Sequence, residues 1–403
     1  MRRKKLRFGL IQKLLLAIFL GVVYGQLKFL PLIFFEIPVT ISTFFSALLN
    51  FIIPLMVVAF IVMGIADLTE GAGKLLGITT GIAYVSTIIG GLSALFIVRQ
   101  IFPLFINEKA ANIGEMESLV KPIFEIPIEP LLDVTSGIVF AFMFGLGISY
   151  LRQHSKRHGD AIYNVFSDFS DIISYLLGHL VVPGIPIFVF GNFVNMSYSG
   201  SAFNILSVFW KVYLVILILH WVFVFIWFCI AGAYTGKSPI QLIKNQIPGY
   251  LTAAATQSSA ATIPVNLSIA EKNGVSEKIR NFVIPFCATA HIFGSVMTIV
   301  SIIYAVLLLN GMPTGLDKFI PFIFTLGIAM VAAPGAPGGG IMSTLPYIGM
   351  VGLDPSGTIA SLLISLYMTQ DSFGTAANVS SDNAIALVID KIYRTKLAKS
   401  DTE

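Results

Sequence analysis

The chain reads as an all-α polytopic membrane protein, on three observations. Apolar residues fill 56% of its 403 positions and charged residues only 11%, where soluble domains carry about 25% charged residues. The mean hydropathy is +0.86. Charge-free runs near the length of a bilayer core, about 20 residues, recur along the sequence. A soluble fold cannot hide that much apolar surface, and a bilayer can. With 25 Lys and Arg against 21 Asp and Glu, the net charge is only +4. The basic residues stand at the ends of apolar runs, which is orientation chemistry and points away from nucleic acid. Cys229 and Cys287, 58 positions apart, make neither a disulfide framework nor a CxxC zinc site.

The N-terminal MRRKKLRFGL resembles a signal-peptide leader, but no small-residue cleavage site closes the stretch after it. Residues 9–27 are therefore read as an uncleaved first span. Further spans are expected at 39–66, 75–98, 134–151, 172–196 and 202–233, the last long enough to tilt. Arg2, Arg3, Lys4, Lys5 and Arg7 precede the first span, and Arg152, Lys156 and Arg157 follow the fourth. Lys237 and Lys244 follow the sixth, and Lys391, Arg394, Lys396 and Lys399 end the chain. Positive charge stays inside, so both termini are expected in the cytoplasm, with the protein in the cell membrane. The connection bearing Glu108, Glu115, Glu117, Glu125, Glu129 and Asp133 is then outside.

The remaining chain is less regular. Residues 246–269 are interrupted by Pro248, Pro264 and a Ser/Thr/Gln cluster, whereas 284–309 look like an ordinary span. Residues 319–350 are broken by PGAPGGG at 334–340, and 362–389 are apolar except for Gln370, Asp371, Asn378 and Asp382. Ten spans result if all four cross, and eight if the broken pair are re-entrant hairpins. Bare backbone at membrane depth survives only inside protein or beside water, so the small-residue tips favour eight spans and two hairpins. Segments 246–310 and 322–390 also resemble each other: a tip, a short helix, a turn at Gly274-Val275-Ser276 or Gly352-Leu353-Asp354, then a span. Ser276 and Asp354 are expected N-caps, with Pro355 at the first helical position. Entering from opposite sides, the two units form an inverted repeat, the sequence pointer to a transporter's midplane site.

Asp371, Thr375, Asn378 and Asp382 are spaced four, three and four apart, within roughly 60° of one helix face. An intramembrane carboxylate costs about 3 kcal/mol or more, so it must meet protein, water or a cation. Carboxylate and amide oxygens suit a hard cation such as Na⁺. A lone carboxylate also suits a substrate ammonium. Asp382, nearer the cytoplasmic end, could instead snorkel. His291 could couple protons or be a neutral histidine satisfied by a carbonyl. His179 and His220 are read as scaffold residues, Lys211 as a snorkelling side chain, and Trp210, Trp221 and Trp227 as interface or lipid contacts. A remote alternative pairs Ser258 or Ser259 with His291 in an intramembrane hydrolase, but no Gly-x-Ser-Gly elbow or HExxH cluster appears.

Three stretches together resemble the dicarboxylate/amino acid:cation symporters, the glutamate-transporter family. They are QSSAATIPV at 257–265, PGAPGGG at 334–340 and DSFGTAANVSSD at 371–382, and the wording is closest to the serine/threonine:sodium branch. The resemblance implies a glutamate-transporter-like fold with residues 1–236 as a six-span region, 237–393 as the transport core and 394–403 as a tail. It implies a homotrimer built on the second, fourth and fifth spans, and a transporter rather than an enzyme, with no cofactor beyond its coupling ion. Ser258 and Ser259 then bind a substrate carboxylate, with Pro337 and Gly338 of the second tip. Asp371 pairs with the substrate ammonium, beside Thr375 and Asn378. Asn378 and Asp382 serve one Na⁺ site, Thr289 with second-tip carbonyls such as that of Ala333 a second, and Tyr84 with Thr87 a third.

Three departures qualify these roles. Acidic-substrate members carry an arginine where this chain has Gly374 or Gln257, so a small neutral amino acid is expected over glutamate, aspartate or a C4-dicarboxylate. An Asn-Met-Asp-type motif that holds Na⁺ is replaced by His291-Ile292-Phe293, so at least one Na⁺ site is expected to be missing and H⁺ becomes a candidate coupling ion. An aspartate one turn before Asp371 is here Tyr367.

Overall fold

A computed structural model describes residues 10–68, 73–106, 120–132, 134–200, 202–330, 333, 337–355 and 358–397. It is helical throughout, with no strand among the described residues. The helices are α1 (Leu10–Gly25), α2 (Ile33–Leu68), α3 (Gly73–Ile101), α4 (Val134–His154), α5 (Lys156–Leu176), α6 (Val182–Tyr198) and α7 (Ala202–Thr235). Then follow α8 (Pro239–Thr256), α9 (Ser259–Lys272), α10 (Glu277–Ala290), α11 (Phe293–Leu309), α12 (Leu316–Ala329), α13 (Gly339–Thr344) and α14 (Thr358–Ile392). Five helical runs among the described residues are long and apolar enough to cross a membrane: Ile33–Met56, Gly77–Leu104, Lys156–Tyr198, Ile205–Thr235 and Glu277–Leu309. The protein is thus a multi-pass membrane protein. The basic N-terminal cluster, Lys399, Glu108, Glu115, Glu117 and Asp133 lie outside the described residues.

The first expected span is a shorter apolar helix among the described residues, α4 and α14 are not among the five runs, and two further expected spans take a different form. The fifth is part of one helical run from Lys156 to Tyr198, bent at a π-helical turn over Leu177–Val181. Pro183 follows at once; it has no N–H to donate and its ring crowds the carbonyl four residues back, so the turn widens. The seventh is not an ordinary span: it starts at Glu277 and breaks between α10 and α11 at His291, whose backbone is extended, and Ile292, which is also non-helical.

The helices form two neighbourhoods. In one, α1 packs on α6, and α2 packs on α4, α5 and α6. In the other, α14 packs on α7, α8, α9, α10 and α11, and α3 packs on α11 and α12. Every residue of α11 from Phe293 to Leu309 is buried, as expected of a helix apolar all round. α14 is buried almost as fully from Leu362 to Asp390 despite its three carboxylates.

Both expected Gly turns are present. Gly274 and Gly352 have φ of +80° and +86°, a conformation in which a β-carbon would be strained. Ser276 stands in the N-cap position of α10 but does not cap it. Its hydroxyl and its amide instead both donate to Asp390 Oδ1, at 2.5 and 3.1 Å. Arg394 completes the tie, with Nε 2.8 Å from Asp390 Oδ2. Pro355 lies in a turn and not at the expected first helical position, and α14 is described from Thr358.

Candidate functional site

The site forms where two helix-connecting tips meet α14. α8 ends at Gln257, a non-glycine residue in left-handed conformation (φ 53°). The chain then reverses and Ser258 opens α9, its Oγ accepting the Ala261 amide at 3.2 Å. Thr262 donates back to the Ser258 carbonyl at 2.8 Å. Ser258 is half-buried and Ser259 buried. Gln257 leans onto α14, its Nε2 donating to the Met368 carbonyl at 3.3 Å while its Oε1 is buried without a partner among the described residues.

The second tip reaches the same turn of α14. Gly338, with φ +77°, donates its amide to Asp371 Oδ2 at 2.7 Å. The positive φ favours glycine there; a β-carbon would meet only the movable Met368 sulfur, at 2.9 Å. Thr375 donates to Asp371 Oδ1 at 3.4 Å. Of the other tip residues, Pro337 is half-buried and Ala333 buried; 331–332 and 334–336 fall outside the described residues. Tyr367 is buried, with its hydroxyl 2.5 Å from where a β-carbon on Gly340 would sit.

About two turns beyond Asp371, Asn378 serves the helix break. Its Oδ1 accepts the amides of Gly294 at 2.8 Å and Ser295 at 3.4 Å, and its Nδ2 donates to Ser295 Oγ at 3.0 Å. The opening amides of a helix lack intrahelical partners, so α14 caps α11 from outside. The fit is close: a β-carbon on Gly294 would lie 2.7 Å from the Gly374 carbonyl. Gly374 itself faces the backbone of Ser295. The carbonyl side of the Gly294 peptide is held by His220 Nε2 at 2.9 Å and Thr298 Oγ1 at 3.1 Å. His220 was expected to be scaffold; packing against the break gives it a polar task that no local pattern signals.

Asp382 ends the stripe. It is fully buried and does not snorkel, because His291 meets it: Nδ1 lies 2.9 Å from Asp382 Oδ1, and Nε2 lies 2.8 Å from Ser86 Oγ. Phe293 stacks on the imidazole at 5.4 Å and 18°. Asp382 Oδ2 remains buried without a partner among the described residues. A buried carboxylate oxygen in that state can accept a cation or a proton.

The other expected ligands are more scattered. Thr289 is exposed and donates to the Phe286 carbonyl at 3.1 Å, while Ala333 is buried. Thr87 is buried, with its hydroxyl turned to the Ala83 carbonyl at 2.9 Å; Tyr84 is half-buried beside Gly327 of α12. The α3 side chain that reaches α14's partner is Ser86, between them. A neutral amide cluster also went unread. Asn383 Nδ2 donates to Gln246 Oε1 (2.8 Å) and Asn266 Oδ1 (2.7 Å), and Asn266 Nδ2 donates to the Val379 carbonyl (2.8 Å). It ties both arms of the first tip to α14. Its one sequence signal is amides set in apolar segments.

The profile described as Sodium:dicarboxylate symporter family matches residues 10–392. A serine/threonine transporter, SstT, of Acinetobacter baylyi is 26% identical over 407 residues, covering 97% of this chain and 99% of the relative. Excitatory amino acid transporter 1 of Mus musculus is 27% identical over 272 residues, covering 66% of this chain and 48% of the relative. Neutral amino acid transporter B(0) of Rattus norvegicus is 27% identical over 283 residues, covering 68% and 49%. The matches to these two animal relatives span about half of their length.

Proposed function

As the chain belongs to the sodium:dicarboxylate symporter family, we propose that it is a secondary active transporter that moves a small neutral amino acid, such as serine, threonine or alanine, together with Na⁺ or H⁺. One observation carries this reading. Asp371 is a buried carboxylate at the turn of α14 where both tips meet, and the positions beside it, Gly374 and Gln257, supply no guanidinium. A buried carboxylate recognises an ammonium, and a side-chain carboxylate on the substrate would find no bidentate cation there. The amino-acid transporters among the relatives point the same way. The family description and the excitatory amino acid relatives keep a dicarboxylate or acidic amino acid as the second reading.

In this reading Ser258, Ser259, Pro337, Gly338, Thr375 and Asn378 complete the substrate site. Asp382 with Asn378 takes one cation, and Thr289 with Ala333 forms the weaker second site. Tyr84 and Thr87 contribute least, since Thr87 is already satisfied within its own helix. His291 either fills the place of a cation or carries the coupling proton. The hydrolase alternative fits less well: both ring nitrogens of His291 are engaged by Asp382 and Ser86, and Ser258 Oγ caps a helix.

The helix–tip–helix pairs α8–α9 and α12–α13 are the two re-entrant hairpins of an eight-span inverted repeat. Residues 237–393 then move as a transport core against a scaffold within 1–236, in a homotrimer in the cell membrane with both termini cytoplasmic. Purified protein should be screened by thermal shift against the standard amino acids and C4-dicarboxylates, with and without Na⁺. Stabilisation by serine, threonine or alanine supports the proposal, and stabilisation by succinate or glutamate alone overturns it.

A further inference from the structure

Between α7 and α8 lies a cavity of about 270 Å³ that the transport site does not use. Its walls are Val224 and Phe228 of α7 and Ile243 and Tyr250 of α8, with Ser380 of α14 at its base. Almost no polar surface faces the cavity, and each polar side chain on the wall makes a hydrogen bond elsewhere. The Gln246 amide is held by Asn266 and Asn383. Ser380 donates to the Ala376 carbonyl at 2.7 Å, and Trp221 Nε1 donates to the Tyr250 hydroxyl at 2.9 Å. A trapped water needs about three polar partners, more than this largely apolar wall presents. Left empty, the lining forfeits its dispersion contacts. The cavity is therefore built for hydrocarbon.

Its mouth shows where hydrocarbon comes from. Trp221, Phe225 and Ile247 stand there, 53%, 53% and 51% exposed. On α7 they continue an exposed apolar stripe through Leu214 and Ile218, which in a membrane-spanning chain faces lipid tails. The volume holds roughly nine groups of a water's size, about 30 Å³ each, which suits a chain segment and not a headgroup.

We propose that this cavity seats one acyl chain of a bilayer phospholipid. The chain lies between α7 and α8, beside the helix that leads seven residues later from Tyr250 to the first tip at Gln257. It also touches α14 at Ser380, between Asn378 and Asp382. Lipid occupancy thus bears on the two elements that carry the candidate site, and it does so whatever the transported substrate is.

The test is photolabelling. Full-length protein is reconstituted in phosphatidylethanolamine–phosphatidylglycerol vesicles doped with a phosphatidylcholine bearing a diazirine on its acyl chain, irradiated and mapped by peptide mass spectrometry. Ile243 and Tyr250 line the cavity and are half-buried, whereas Leu214 and Ile218 are exposed outside it. Adducts on Ile243 and Tyr250 are expected. Filling the cavity with Val224→Trp should lower them several-fold while adducts on Leu214 and Ile218 stay unchanged. Should Val224→Trp fail to fold, as judged by gel-filtration and thermal unfolding, Ile243→Phe fills the opposite wall and Tyr250 alone is read. Adducts confined to the outer stripe, or cavity adducts that persist undiminished in the filled variant, overturn the proposal. The first of these is also the result expected if another protein segment occupies the cavity.

Discussion

His291 Nδ1 and Asp382 Oδ1 stand 2.9 Å apart, both buried, across the break that separates α10 from α11. The imidazole occupies its site from both sides, since Ser86 of α3 takes the other ring nitrogen. A histidine so held leaves less room for cations than a cluster of oxygen ligands would.

Coupling is therefore expected to be shallow. Uptake into proteoliposomes, measured against Na⁺ at fixed pH, should give a Hill coefficient of at most about two, because that coefficient is bounded by the number of linked sites. The companion measurement varies pH without Na⁺. Uptake that persists there and is abolished by His291→Asn would identify protons as the coupling ion. A Na⁺ Hill coefficient of about three would show that the imidazole displaces no cation.

Asp371→Asn separates two tasks of one side chain. The asparagine oxygen can still accept the Gly338 amide, so unfolding temperature should change little. Without the negative charge, amino-acid uptake should fall to background. Asp371→Leu should lose uptake and also about 1–3 kcal/mol of stability, the cost of stranding a buried amide. Thermal unfolding and uptake on the same preparations check both halves.

Selectivity follows from Gly374 and Gln257. Serine, threonine or alanine at 100 times its dissociation constant should stabilise the protein by about 2.7 kcal/mol. Aspartate, glutamate and succinate at equal concentration should shift the unfolding midpoint far less. Gln257→Arg, which supplies the missing cation at the first tip, should move preference toward the acidic substrates in competition uptake.

His220 holds the Gly294 carbonyl at the helix break. His220→Leu removes that donor and should cost about 1 kcal/mol, the loss being limited because Thr298 still reaches the same oxygen. Since Asn378 grips the amide side of the residue, the substitution should also weaken apparent Na⁺ affinity more than maximal rate. His220→Gln, which restores a donor, should recover most of both. A loss of stability with unchanged Na⁺ half-saturation would reduce His220 to packing.

Much of this protein was legible in one dimension because a bilayer makes the signal local. Each apolar helix must satisfy its own backbone within itself, so runs such as α2, α3 and α7 announce themselves in a window of their own length. The left-handed turns at Gly274 and Gly352 are equally local. So is the helical spacing that puts Asp371, Thr375, Asn378 and Asp382 on one face. What these residues touch depends on elements far away in the chain. His291 is 205 positions from Ser86 and 91 from Asp382, and His220 is 74 from Gly294. The break in the seventh span also escaped hydropathy, since an interrupted apolar run scores like an intact one. Only the packed fold revealed it, because the free amides at the start of α11 are capped by Asn378, 84 residues away. Hydropathy and period decided which segments are helices and which faces are polar. Tertiary structure decided which buried groups satisfy one another, because buried hydrogen-bonding partners are chosen by proximity in space and not along the chain.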